Sequence, residues 1–131
     1  MKTVGIIAEY NPFHNGHKYQ IEYVKNTLNA DRLIIVMSGA FTQRGLPAIC
    51  NSKFRADAAC RAGADCVVEM PVCVSVADTD QFAQGSVDIL AKLGCDTIAF
   101  GSEKNEITLL DSVAQAMLHP DFMEIYNAKI I

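Results

Sequence analysis

The 131-residue sequence lacks long apolar runs, closely paired cysteines and an excess of positive charge. No apolar stretch approaches the ~20 residues that a membrane-spanning helix needs. Acidic residues outnumber basic ones by 15 to 11, and the net charge of -4 disfavours binding to nucleic acid through bulk electrostatics. The N-terminus carries no pattern typical of a secretory signal peptide. We therefore expect a cytoplasmic protein that does not associate with membranes.

The cysteines have neither the number nor the spacing of a disulfide framework or a zinc site. There are 5 of them, an odd number, and none forms a CxxC pair. The only close histidine pair, His14 and His17, has no cysteine nearby. We predict reduced, mostly buried thiols and no metal held by protein side chains. The cysteines are Cys50, Cys60, Cys66, Cys73 and Cys95.

Composition and periodicity predict one globular α/β domain over residues 1–131. Half of the residues are apolar and 20% are charged, as in globular proteins. Short β-branched runs alternate with segments of helical periodicity. Strands are expected at 3–8, 32–37, 66–69 and 96–100. Helices are expected at 18–28, from Ser52 to just before Gly63, at 80–93 and at 108–118.

This alternation predicts a doubly wound parallel sheet. The expected strands are continuously apolar, which indicates a sheet that is covered by helices on both faces. Right-handed crossovers then give a doubly wound sheet, for which we expect the strand order 3-2-1-4. Ligands of such sheets bind beyond the carboxyl ends of the strands, where the strand order reverses. The residues that follow the first and fourth strands are therefore candidate ligand contacts.

The segment EYNPFHNGH, residues 9–17, follows the first strand and leads into the first helix. Two imidazoles three positions apart can contact one anion at a helix N-terminus, where unpaired N–H groups attract phosphate. We expect Gly16 to leave room for the phosphate, and Asn11 to bond its own backbone beside Pro12. Bound phosphate is expected to hold both rings charged. The alternative is a turn with two surface histidines; the strand before it and the helix after it favour the phosphate site.

Two further motifs accompany this segment: MSGAFTQRGLPA at 37–48 and FGSE at 100–103. Together the three resemble the bacterial tRNA(Met) cytidine acetate ligase family, within the HxGH nucleotidyltransferase superfamily. The resemblance implies a Rossmann-like HUP fold and the activation of acetate by ATP to acetyl-adenylate, with release of pyrophosphate. The acetyl group would then pass to the wobble cytidine of elongator tRNA(Met).

The resemblance also implies which residues bind ATP and Mg²⁺. The catalytic pair would be His14 and His17, and no residue is assigned as a metal ligand. Family members are much longer, so tRNA is expected to bind through a C-terminal half rather than through this chain. The implied nucleotide-binding residues are Ile7, Ala8, Glu9, Tyr10, Asn11, Pro12, Phe13, Asn15, Gly16, Lys18, Gln20, Gln43, Arg44 and Gly101.

Several assignments have two interpretations. Residues 33–56 include Arg44, Lys53 and Arg55 but no acidic residue, so they either neutralise a triphosphate or form a solvated surface. Glu9 and Glu103 either approach Mg²⁺ through water or are ordinary loop carboxylates. Two other functions also stay open: another small-molecule adenylyl- or cytidylyltransferase, and a non-catalytic nucleotide-binding module.

Overall fold

The computed structural model describes residues 1–104 and 106–129, which form two compact units, Met1–Phe100 and Gly101–Ile131. The second unit contains the helices α5 (Ile107–Met117) and α6 (Pro120–Lys129). The first unit contains β1 (Thr3–Ala8), α1 (Asn15–Asn26), β2 (Arg32–Met37), α2 (Ser52–Arg61), β3 (Cys66–Glu69), α3 (Val72–Ser75), α4 (Thr79–Lys92) and β4 (Thr97–Ile98).

The sheet is parallel and has the strand order β3-β2-β1-β4, as predicted. In register, Val4 of β1 lies beside Leu33 of β2 on one side and Thr97 of β4 on the other. The carboxyl ends of β1 and β2 therefore meet at one edge of the sheet. The loops that follow these two strands begin there.

Helices cover both faces of the sheet, which explains its continuously apolar strands. On one face, Ile21 and Val24 of α1 pack with Val4, Ile6 and the residues of β2 that point the same way. On the other face, Leu90 of α4 packs with residues of β2 and the segment after β3. A Cβ atom at Gly5 would lie only 2.7 Å from Leu90 Cδ2, so this glycine lets α4 approach β1 closely.

The elements differ from the predicted ones mainly at their ends. Helix α1 begins at Asn15, three residues earlier than expected, because His14 caps it. Strand β4 has two residues instead of five, and the Asp96 carboxylate before it accepts a hydrogen bond from the Thr3 N–H at 3.1 Å. The helices α3 and α6 were not predicted. Helix α6 begins at Pro120, and Pro71 is the N-cap of α3. Proline suits the start of a helix because the first N–H groups there have no partner within the helix.

The prediction that the cysteines are mostly buried is wrong. Cys60, Cys66 and Cys73 are exposed, and Cys50 and Cys95 are partly exposed. Cys66 begins β3, an outer strand with one neighbour, and Cys60 lies in the last turn of α2, so packing at both positions is one-sided. None of the helices within residues 1–104 and 106–129 has the length and apolar character to cross a membrane.

Candidate functional site

The site begins where β1 ends and α1 starts, in residues 9–17, which we call the histidine loop. His14 is the N-cap of α1, with an extended backbone. Its Nδ1 atom accepts a hydrogen bond from the Gly16 N–H at 3.1 Å. The Nδ1 atom of His17 in turn accepts one from the His14 N–H at 3.3 Å. The two histidines thus form a capping box, with imidazoles in place of the usual hydroxyl and carboxylate.

These capping bonds determine where the imidazole protons are. A ring nitrogen that accepts an N–H bond carries a lone pair, so each neutral ring holds its proton on Nε2. Burial lowers the pKa of His17, and the neighbouring His14 lowers it further. His17 is therefore neutral at pH 7 in this arrangement. Protonation of either ring at Nδ1, as the expected charged state requires, would break a capping bond.

The two rings lie against each other, with centroids 3.6 Å apart and an interplanar angle of 23°. Gly16 makes this arrangement fit. A Cβ atom at position 16 would lie 3.0 Å from Cε1 and 3.2 Å from Nδ1 of His14. The glycine therefore leaves room for the ring of His14, a reason that differs from the predicted one of leaving room for phosphate.

Aromatic packing supports the other side of His17. The ring centroid of Tyr10 lies 4.7 Å from that of His17, and Phe13 packs edge-on against Tyr10 at 5.0 Å. Tyr10 is only 2% exposed, and burial raises the pKa of its hydroxyl. Its backbone has a positive φ of 49°, which turns the chain sharply after β1. Tyr10 and Phe13 therefore act as support for the histidine ring, and the side chain of Tyr10 is almost inaccessible to a ligand.

A second loop, residues 38–51 between β2 and α2, is bonded to the histidine loop and is called the β2–α2 loop below. The Glu9 carboxylate accepts a hydrogen bond from the Gln43 N–H at 2.6 Å. The Asn11 side chain accepts one from the Ile49 N–H at 2.7 Å. The expectation that Asn11 bonds its own backbone is therefore wrong. Gln43 lies beside the histidine loop, and the Arg44 side chain is exposed. Their predicted contacts with the nucleotide stay predictions.

Arg55 does not face a phosphate site. Its side chain is 0% exposed and donates only to backbone carbonyl groups. The proposal that it neutralises a triphosphate directly is wrong, because the β2–α2 loop covers its guanidinium group. Lys53 is exposed and lines a cleft of about 210 Å³ together with Glu69 at the end of β3.

The remaining predicted residues are distributed along β1 and α1. Ile7 and Ala8 are the last residues of β1 and are half-buried. Pro12, Asn15 and Lys18 are exposed, and Gln20 is half-buried. Lys18 forms an exposed ion pair with Glu22 at 3.7 Å. Gly101 and Glu103 belong to the second unit, so their predicted contacts with the nucleotide and with Mg²⁺ stay predictions.

The donor groups near the site do not form a metal centre of their own. Within residues 1–104 and 106–129, no group of three or more His, Cys, Asp or Glu side chains is arranged to hold a metal ion. One carboxylate oxygen of Glu9 is engaged by the Gln43 N–H. In the histidine loop both Nδ1 atoms are engaged in capping, so the Nε2 atoms are the ring nitrogens left for a ligand.

A family model described as HIGH Nucleotidyl Transferase matches residues 1–129. The chain belongs to this family. The first curated relatives are tRNA(Met) cytidine acetate ligases, which confirms the resemblance found in the motifs. The relative from Geobacillus sp. (strain WCH70) is 48% identical over 118 residues, which are 90% of this chain and 29% of the relative. The relative from Staphylococcus aureus (strain JH9) is 45% identical over 130 residues, 99% of this chain and 34% of the relative.

Solved structures of Thermotoga maritima TmcAL share the fold of this chain. The apo structure aligns with a TM-score of 0.83 at 43% identity and covers 89% of this chain and 28% of that chain. A second structure, bound with alpha-thio ATP, aligns with the same TM-score at 44% identity. The chain thus spans about a third of the length of these relatives. The predicted α/β nucleotidyltransferase fold is confirmed.

Proposed function

We propose that this chain is the ATP-binding part of a tRNA(Met) cytidine acetate ligase and that the histidine loop binds the phosphates. The observation that carries the proposal is the pair of stacked imidazoles at the start of α1, 3.6 Å apart, with both Nδ1 atoms engaged in capping. Each ring then has an Nε2–H left to donate. The dipole of α1 adds to the attraction for an anion. The relative bound with alpha-thio ATP supports ATP as the ligand.

The proposed reaction is the attack of an acetate oxygen on the α-phosphorus of ATP. The new P–O bond forms acetyl-adenylate, the bond from the α-phosphorus to the bridging oxygen breaks, and pyrophosphate leaves. Carboxyl groups titrate near ~4, so acetate is already ionised at neutral pH and no general base is needed. The exocyclic amine of the wobble cytidine in elongator tRNA(Met) then attacks the acetyl carbonyl, loses a proton, and releases AMP.

The two histidines would have different roles in the first step. His17, in the first turn of α1, would donate to the α-phosphate, where negative charge builds up during the transfer. His14, which precedes the helix, would donate to the bridging and β-phosphate oxygens. Hydrogen-bond donors that are fixed in advance stabilise such charge without reorganising. Because burial lowers the pKa of His17 and favours its neutral ring, the Nε2–H contribution of His17 does not require an acidic pH.

Mg²⁺ fits this site only as a companion of the nucleotide. The described residues supply no cluster of protein ligands for it. Magnesium in nucleotide enzymes is commonly held by substrate phosphates and water, and it neutralises part of their charge. We propose that it enters with ATP in this way.

We further propose that tRNA binds mainly to regions of the relatives that have no counterpart in these 131 residues. The net charge of -4 argues against strong contacts between this chain and a phosphate backbone. The relatives extend far beyond the matched region, since the match covers 29% to 34% of their length. Salt-sensitive, submicromolar binding of tRNA to this chain alone would contradict this part of the proposal.

ATP–pyrophosphate exchange that depends on acetate tests the reaction. We would measure it for the 131-residue chain and for a chimera that joins this chain to the rest of the Staphylococcus aureus relative. In the chimera, His17→Ala is expected to lower exchange by about 10²- to 10³-fold while ATP affinity changes only a few-fold. His14→Asn is the sharper variant for His14, because asparagine is a good N-cap but has no ring N–H. It should keep α1 stable and lose both exchange and ATP affinity.

The third histidine provides the matched control. His119→Ala alters an exposed residue between α5 and α6 and should leave exchange unchanged. Exchange that proceeds equally without acetate would indicate another acceptor. ATP binding by the chimera without any exchange would indicate a non-catalytic nucleotide-binding module. Normal exchange in His17→Ala would contradict the role proposed for the histidine loop.

A further inference from the structure

Among the residues that the structure describes, the largest fully buried side chain is a charged one, Arg55 of α2. A buried cation is costly unless its N–H groups are fully hydrogen-bonded. No carboxylate of the described residues lies within salt-bridge distance of it. An apolar residue would fill this position at lower cost, so the guanidinium group calls for a reason beyond packing.

The hydrogen bonds of Arg55 supply that reason. Its Nη1 donates to the carbonyl of Glu9 at 2.6 Å and to that of Ser38 at 3.0 Å. Its Nη2 donates to the carbonyl of Gly39, and its Nε donates to that of Cys50 at 3.0 Å. Glu9 is the first residue after β1, Ser38 and Gly39 are the first after β2, and Cys50 closes the β2–α2 loop. One planar group thus joins the two strand ends and both loops of the site.

The backbone segment that Arg55 holds is the one that carries the histidine pair. Glu9 is followed by Tyr10, whose positive φ turns the chain and whose ring packs against His17. The Glu9 carboxylate accepts the Gln43 N–H, so the same residue also orients the β2–α2 loop. A movement of the Glu9 backbone would therefore displace both the imidazole rings and Gln43.

We propose that Arg55 is a positioning residue: it holds the capping box of His14 and His17 in place through hydrogen bonds to the backbone and does not touch the nucleotide. A lysine at this position would keep the charge and the aliphatic stem. Its single ammonium group cannot reach four carbonyl groups in the plane that a guanidinium fork spans. Arg55→Lys should therefore fold but release the histidine loop. The link to catalysis rests on the proposed function; the effect on the histidines does not.

The test is a long-range ¹H–¹⁵N spectrum of the histidine rings in the 131-residue chain at pH 7.5, beside thermal unfolding and ATP titration. The wild type should show the Nε2–H form of both His14 and His17. In Arg55→Lys both should become tautomer mixtures, the pKa of His17 should rise toward its ordinary value, and ATP affinity should fall by about tenfold or more. Arg61→Lys, an exposed arginine on the same helix, is the matched control and should change none of these.

A measurement on the wild type keeps the proposal testable if Arg55→Lys fails to fold. The Arg55 Nε–H signal should exchange slowly with solvent, and ATP that shifts the histidine signals should leave it in place. The proposal is overturned if Arg55→Lys retains both Nε2–H forms and wild-type ATP affinity. Exchange of the Arg55 Nε–H as fast as that of Arg61 would also overturn it. If the wild type binds no ATP, the proposed function fails while the histidine spectra still decide the role of Arg55.

Discussion

Replacing Gly16 with alanine would separate the geometry of the histidine pair from the stability of the helix. An ideal Cβ at position 16 would lie 3.0 Å and 3.2 Å from two atoms of the His14 ring, so the ring has to move. Losing the cap bond from the Gly16 N–H costs about 1 kcal/mol, the usual effect of removing an N-cap. Alanine stabilises the helix by roughly 0.5–1 kcal/mol relative to glycine, because alanine loses less backbone entropy on folding. The net change in the free energy of unfolding is therefore expected to be under about 1 kcal/mol.

The effect on ligand binding is expected to be much larger than the effect on stability. A shift of a few tenths of an ångström disturbs the stacking of the His14 ring on His17 at 3.6 Å and moves the Nε2–H donor of His14 from its wild-type direction. We expect ATP affinity to fall by about tenfold, since misplaced donors contribute little. Urea unfolding and calorimetric ATP titration measure the two quantities, with Asn26→Ala, an exposed residue at the end of α1, as the control. Wild-type ATP affinity in Gly16→Ala would refute the role assigned to the stacked rings.

Two further predictions concern the scaffold. Leu90→Ala should lower the free energy of unfolding in urea by about 2–5 kcal/mol, because this 1%-exposed side chain fills the space above β1. Leu118→Ala, at an exposed position, should change the free energy of unfolding little. Equal effects of the two substitutions would contradict the packing described. Burial raises the pKa of Asp65, but bonds from Lys25 at 2.8 Å and from the Leu33 N–H at 2.7 Å outweigh it and hold the pKa below its ordinary value. In the wild type this carboxylate therefore adds stability above the unfolded pKa near ~4, and that stability is lost as the pH falls further. Asp65→Asn should be about 1 kcal/mol less stable at pH 7, and its stability should change less on acidification. Unfolding measured from pH 7 to about 2.5 will check both expectations.

The sheet could be predicted from the sequence because its determinants are local. Three of the four strands have the predicted bounds, since each is a short apolar run between polar residues. The last strand is shorter because pairing, rather than propensity, limits it: only Thr97 and Ile98 pair with β1. The parallel order followed from the alternation of strands and helices. The short helix after Pro71 has four residues and no periodicity that a sequence pattern can detect.

The candidate site was predictable in its position but not in its internal contacts. The spacing of His14 and His17 predicts a phosphate site between a strand and a helix, and both residues do lie where β1 leads into α1. The binding of phosphate there stays a prediction. That their Nδ1 atoms cap the helix depends on ring orientation, which no spacing encodes. Arg55 was misread because a basic residue near a phosphate site favours direct contact. Three of the four carbonyl groups that bind it lie 16 to 46 residues away in the sequence.

A titration of the uniformly ¹⁵N-labelled chain with ATP, followed through the imidazole signals, tests the central claim most directly. Without nucleotide at pH 7.5, His14 and His17 should both be in the Nε2–H form. With ATP, both Nε2 signals should shift together and saturate at one dissociation constant, while those of His119 stay unchanged. Binding of ATP that leaves His14 and His17 unaffected, or the same small shift in all three histidines, would contradict the assignment of the histidine loop as the phosphate site.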